Sequence, residues 1–182
     1  IMDSYALLFA STLSAGTVLA LAAMGLLINE KAGVINLGAE GMMLCAALAG
    51  FAAVVHTGST WLGFLAGMGA GALLAAIFGV LVIWLNTNQS ATGLALRLLG
   101  GGFSAFAGLS YVQAKMPESP KFAIPYLADL PVVGPALFRH HPLVYGAIII
   151  AALLVYFLYR TRAGLVLRSV GGSPESAHAL GY

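Results

Sequence analysis

The chain has 182 residues, of which 60% are hydrophobic and 8% charged, with a net charge of +2. Soluble globular domains carry about 25% charged residues, and residues 41–96 here contain no Asp, Glu, Lys or Arg at all, so an ordinary soluble enzyme is excluded and the lipid bilayer is the expected solvent. Scattered basic residues leave no cationic stripe to follow phosphates, which excludes a nucleic-acid binder.

A bilayer core about 30 Å thick takes roughly 20 apolar residues per helical span, and about five such runs are read from the chain, giving an all-α, polytopic helical bundle in the membrane. The first, 4–28, is charge-free and too long for a signal-peptide core. The long charge-free stretch is cut by two polar clusters, His56–Thr60 and Asn86–Ser90, which yields spans at 39–55, 61–85 and 90–111. Gly100, Gly101 and Gly102 are expected to weaken the fourth helix. The fifth span, 142–159, opens on Pro142 and closes on Arg160 and Arg162. Six of the seven prolines fall between residues 117 and 142, so 112–141 is predicted to be an extracytoplasmic loop packed against the membrane face of the protein. The whole of 1–182 is read as a single transmembrane domain.

With a cytoplasmic C-terminal tail, Lys31, Arg160, Arg162 and Arg168 lie on the cytoplasmic side, against Lys115, Lys121 and Arg139 on the other. The count is nearly balanced, and the density of Arg160 to Arg168 at a membrane exit favours the cytoplasmic tail.

The stretch Asn29 to Gly41 places two carboxylates, two amides and three glycines in otherwise apolar sequence. It reads as a short aqueous turn, as a broken helix whose freed polar groups line a pathway, or as a proton relay at Glu40. If residues 36–40 are helical, Asn36 and Glu40 share a face and one of them reaches a substrate hydroxyl or amide. Gly63, Gly67 and Gly71 form a small-residue face for close helix packing, inside one bundle or against another membrane subunit. Arg97 snorkels, pairs with a carboxylate, or gates.

Cys45 sits in an apolar run and is read as packing. His56, His140, His141 and His178 lack the clustered spacing of a metal site, and no Ser or Thr has His and carboxylate partners at recognisable spacing. No phosphate-binding Gly-Lys-Ser/Thr loop is present, so no catalytic activity and no cofactor are expected in this chain.

In the tail, 160–182, Ser173 suits an N-cap, Pro174 the first helical position, Glu175 the positive end of the dipole and Gly181 the residue past the end. A short helix over 174–180 is predicted, either an ordinary connector or an element that receives a push from a soluble partner.

Three motifs occur in order: Glu30-Lys31-Ala32-Gly33-Val34-Ile35-Asn36-Leu37-Gly38-Ala39-Glu40-Gly41-Met42-Met43, then Asn88-Gln89-Ser90-Ala91-Thr92-Gly93-Leu94-Ala95-Leu96, then Thr161-Arg162-Ala163-Gly164-Leu165 with Gly171-Gly172-Ser173-Pro174-Glu175-Ser176-Ala177. Together they resemble the permease subunits of bacterial ATP-binding-cassette importers, in the superfamily that includes ribose and branched-chain amino-acid permeases. The three motifs resemble the importers for nucleosides and simple sugars, and within these the Glu-Gly-Met-Met and Asn-Gln…Thr-Gly-Leu-Ala forms look most like the nucleoside (guanosine or purine nucleoside) branch. The resemblance implies a multi-pass subunit of the bacterial inner membrane that moves a nucleoside or simple sugar, with ATP bound and hydrolysed on cytoplasmic ATP-binding subunits. It further implies a second permease subunit and an extracytoplasmic substrate-binding lipoprotein. Ser173, Pro174, Glu175, Ser176, Ala177 and Gly181 would then form the coupling helix, while Asn36, Glu40, Asn88, Gln89 and Thr92 are the expected substrate-pathway residues. Such families continue with several further spans, so a fragment is expected. The alternative is a proton-coupled secondary transporter using Glu30 or Glu40.

Overall fold

The computed structural model describes residues 2–115, 122–123, 139–140 and 142–181. Five of its helices are long and apolar enough to cross a membrane: Leu8–Lys31, Ala39–Thr57, Thr60–Trp84, Gln89–Tyr111 and Pro142–Arg160. Their outward faces are apolar. Trp84 is 80% and Phe106 78% exposed, a surface that water would not tolerate but lipid or protein would cover. The chain divides into two compact units, Ile1–Gly33 with Ser119–Tyr182, and Val34–Glu118.

The second of these holds α2 (Ala39–Thr57), α3 (Thr60–Gly79) and α4 (Gln89–Gly108). Gly58, at φ +69°, ends α2 in the left-handed conformation that a residue with a Cβ adopts only at a cost. Ser59 then starts α3, its hydroxyl accepting from the Leu62 N–H at 3.5 Å. α3 continues through a π-helical turn, Val80–Trp84, into a loop where Asn86 takes φ +50°. Asn88 caps α4, accepting from the Ala91 N–H at 3.0 Å. A 3-10 turn, Leu109–Tyr111, finishes α4.

Glycine sets the helix spacing in this unit. A Cβ on Gly63 would strike the Val54 side chain and lie 2.8 Å from the Gly50 carbonyl oxygen, and one on Gly67 would lie 3.0 Å from that of Ala46. The small-residue face of α3 therefore packs on α2, with Gly71 in ordinary contact. The approach of α4 to α2 is closer: a Cβ on Gly100 would overlap the backbone of Gly41, and one on Gly41 would stand 2.7 Å from Arg97 Cα. The run Gly100 to Gly102 does not interrupt α4, contrary to the expectation from helix propensity. The backbone contact at Gly100 and the lack of competing water offset the intrinsic cost of glycine. Met42, Phe78, Val82 and Leu96 make the buried cluster, with Val34 and Leu74 against it. The Cys45 thiol is buried and faces the Gly100 carbonyl at 3.6 Å. His56 lies in the last turn of α2, not in the turn beyond it, and its Nε2 meets the Tyr111 hydroxyl at 3.0 Å.

The other unit contains α1 (Met2–Lys31), α5 (Pro142–Arg160), α6 (Arg162–Gly172) and α7 (Pro174–Ala179). A two-residue antiparallel ladder pairs β1 (Phe122–Ala123) with β2 (Arg139–His140). The remainder of the expected loop 112–141, apart from residues 112–115 at the end of α4, lies outside the described residues. α1 runs along α5, where Val144 and Ala147 are buried. Thr161 joins α5 to α6 with a single hydroxyl, which donates to the Phe157 carbonyl at 2.6 Å and accepts from the Gly164 N–H at 3.1 Å. α6 was not foreseen as a helix. Its signals are the Thr161 cap and the apolar set Leu165, Val166, Leu167 and Val170, masked by the glycines at its end. Gly164 lies against the Phe157 and Leu158 backbone, and Gly171 against the Lys31 carbonyl and the Gly33 amide. Those two contacts fasten α6 to the ends of α5 and α1. Arg168 rests on the Tyr159 ring at 4.7 Å.

Candidate functional site

Residues 34–36 have no regular secondary structure and 37–38 form a turn, so α2 begins only at Ala39. Its first turn, at Gly41, already packs at Leu96 and Arg97 of α4. At a rise of about 1.5 Å per residue, α2 therefore starts about 8 Å beyond the start of α4. The missing turns are replaced by the irregular segment Val34–Gly38, whose backbone N–H groups need partners inside a membrane. The Ile35 N–H donates to Gln89 Oε1 at 2.8 Å, and the Gly38 N–H donates to Asn36 Oδ1 at 2.9 Å. Gly93 makes room for this segment, since a Cβ there would be 2.9 Å from the Leu37 amide nitrogen.

Asn36 and Glu40 therefore do not share a helical face. The expectation fails because the Asn36 side chain closes a local turn ahead of the helix, the kind of backbone competition that keeps Asn out of helix interiors. Its amide nitrogen lies 3.6 Å from the Met42 sulfur. Glu40 sits in the first turn of α2 and pairs with Arg97, Nη2 to Oε2 at 2.5 Å. Both side chains remain about half open, at 54% and 51%. Sequence reading left a carboxylate partner for Arg97 open beside snorkelling and gating, and could not find which one, because the partners are far apart in the chain.

The remaining pathway candidates occupy the α3–α4 loop and the first turn of α4. Asn88 is spent on the helix cap and Gln89 on the Ile35 amide. The Thr87 hydroxyl donates to the Leu81 carbonyl at 2.9 Å, so the Thr92 hydroxyl, 2.8 Å away, is the donor to Thr87. The structure thus brings Asn36, Glu40 and Gln89 to one end of the α2–α4 crossing, whereas Asn88 and Thr92 fix the loop beside it.

In the tail, Ser173 occupies the N-cap position with an extended backbone, but its hydroxyl bonds the Ser176 hydroxyl at 2.8 Å in place of a backbone N–H. Pro174 stands at the start of α7, Glu175 in the first turn, and Gly181 follows the helix at φ +88°. Ala177 is 2% exposed and anchors α7 within its own unit. Glu175, Ser176, His178 and Leu180 are left on the surface.

Residues 8–182 match the family described as the branched-chain amino acid transport system / permease component. The chain is 44% identical over 175 residues to a putative glucose ABC transporter permease protein of Haloferax volcanii, covering 94% of this chain and 53% of that protein. It is 32% identical over 196 residues to the guanosine ABC transporter permease protein of Bacillus subtilis, covering 100% and 60%. With the nucleoside ABC transporter permease protein of Lactococcus lactis it shares 30% over 195 residues, covering 100% and 61%. The chain thus spans little more than half the length of the curated relatives it matches. No solved structure matches it. The five apolar helices and the match over nearly the whole chain place it, as a multi-pass membrane protein, in the family of branched-chain amino acid transport system permease components.

Proposed function

We propose that this chain is the membrane-spanning part of a permease subunit of an ATP-driven importer for a nucleoside or simple sugar in the bacterial inner membrane. The observation that carries the reading is its likeness to permeases named for glucose, guanosine and nucleosides, joined to the short helix α7 that follows the fifth span after α6. In this reading ATP is bound and hydrolysed on cytoplasmic ATP-binding subunits, a second permease subunit completes the pathway, and an extracytoplasmic lipoprotein delivers solute. The tail after Arg160 is then cytoplasmic, and residues 1–182 form one permease domain. Ser173, Pro174, Glu175, Ser176, Ala177 and Gly181 make the coupling element, in which Ala177 holds the helix to its own unit while Glu175 and Ser176 face the ATPase. Glu40 lies on the pathway, and Asn36, Asn88, Gln89 and Thr92 hold the backbone that carries it. The proton-coupled alternative has no support in the family, and Glu40 is held as the partner of Arg97.

The test is co-purification of the full-length protein with its ATP-binding subunits. Glu175→Arg is expected to lose the ATPase while the permease still runs as a single species in detergent, because Glu175 is exposed. Undiminished binding by Glu175→Arg together with Leu180→Asp would refute the coupling role of α7.

A further inference from the structure

The two edges of the α2–α4 crossing differ in chemistry. One edge faces α3 and is lined by Cys45, Leu48, Leu73, Leu99 and Phe103, forming an apolar groove of about 460 Å³. The opposite edge of α4 carries Arg97, Gly101 and Ser104, which follow one another at helical spacing. There Arg97 pairs with Glu40, the Ser104 hydroxyl donates to the Leu44 carbonyl at 3.4 Å, and Gly101 leaves open space down to the Leu44 side chain at 4.0 Å.

Arg97 is eight residues into α4, a depth of about 12 Å along the helix. Charges at such depth are costly unless they are paired and face water or protein. The pair is made, but half of each side chain is still open. A guanidinium has five donors and a carboxylate about four acceptor sites, and the pair has no third partner among the described residues. That unused capacity, donors beside acceptors with no net charge, is the complement of adjacent hydroxyl groups on a neutral ring.

We propose that the edge of α4 bearing Arg97, Gly101 and Ser104, together with Glu40, is a wall of the aqueous translocation pathway, and that the Glu40–Arg97 pair takes vicinal hydroxyls of the passing solute. The proposal deepens the importer reading and rests on it for the identity of the solute. The zero net charge of the pair selects neutral, hydroxyl-rich compounds over ions. Contact through two side chains is weak enough for release, as conduction requires.

The experiment labels single cysteines with a membrane-impermeant methanethiosulfonate in cells expressing the full-length protein within its complete assembly, with Cys45 replaced by Ala and any other cysteines removed. Gly101→Cys and Ser104→Cys are expected to react, and glucose or guanosine to slow the reaction. Leu98→Cys, on an exposed position of a different α4 face, is expected to stay inert. Gly101→Cys and Ser104→Cys as inert as Leu98→Cys would overturn the wall. For the pair itself, Arg97→Lys keeps the charge but loses the planar fork, and is expected to raise the half-saturating solute concentration for uptake about tenfold at unchanged expression. An unchanged half-saturation overturns the hydroxyl contact. Labelling does not depend on the energy source, so a reactive wall in a protein without ATP-dependent uptake would refute the importer reading and leave the wall standing.

Discussion

Gly100 and Gly102 lie in the same helix, yet adding a methyl group to each is expected to act in opposite directions. At Gly102 nothing stands within 4 Å of a new Cβ, so Gly102→Ala only removes the backbone-entropy cost of glycine and stabilises by about 0.5–1 kcal/mol. At Gly100 the same Cβ would be 2.6 Å from the Gly41 Cα and carbonyl carbon. That is about 0.8 Å inside ordinary contact, and the obstacle is backbone, so α2 and α4 must part. A gap of about 1 Å forfeits a quarter to a half of the dispersion attraction across the contact. Overpacking of this kind costs about 1–3 kcal/mol, occasionally more. Set against the propensity gain, Gly100→Ala is expected to destabilise by about 1–2 kcal/mol, or about 2–8 °C for a chain of this size. The assay is the loss of the monodisperse peak after heating detergent-solubilised full-length protein, with both variants beside wild type. Equal shifts in the two variants would refute the claim that α2 and α4 meet backbone to backbone.

The loop contacts give two further contrasts. Gln89→Ala removes the acceptor of the Ile35 N–H and is expected to lower stability by about 0.5–1.5 kcal/mol, whereas Gln89→Glu keeps an acceptor at the same reach and is expected to lose less in the same heating assay. Asn88→Ala removes a cap bond of 3.0 Å and is expected to cost about 1 kcal/mol, while Ser59→Ala, whose cap bond is 3.5 Å, costs a smaller part of that. At the α5–α6 corner, Gly164→Ala drives a methyl into the Phe157 carbonyl, and limited proteolysis after Arg162 or Arg168 is expected to speed up several-fold. Unchanged cleavage would show that α6 is not fastened there.

What could be read from the sequence follows from the range over which each signal acts. The apolar runs and the polar cuts between them are local, and the helices lie where those runs lie. The Pro174 start of α7 is local as well, and so are the caps Ser59 and Asn88, although their clusters were read only as cuts between spans. The face Gly63, Gly67 and Gly71 was legible because its period is helical. Gly41 and Gly100 were not legible as a contact: each is one residue on its own helix, and only the crossing makes them partners. The same holds for Glu40 with Arg97 and for Ile35 with Gln89, pairs that the chain separates widely and the fold joins. Asn36 misled for a local reason, since an amide side chain next to a turn satisfies a backbone N–H more cheaply than a helix would.

In the proposed function, the permease that contains this chain moves solute with energy from ATP hydrolysed on other subunits. The most direct measurement is uptake of radiolabelled guanosine and glucose into proteoliposomes containing the full-length permease, its partner permease, the ATP-binding subunits and the binding lipoprotein. The account predicts uptake that needs ATP, stops when the ATP-binding subunits cannot hydrolyse it, and is indifferent to a protonophore. Uptake by the permease alone, driven by a pH gradient without ATP, would contradict it.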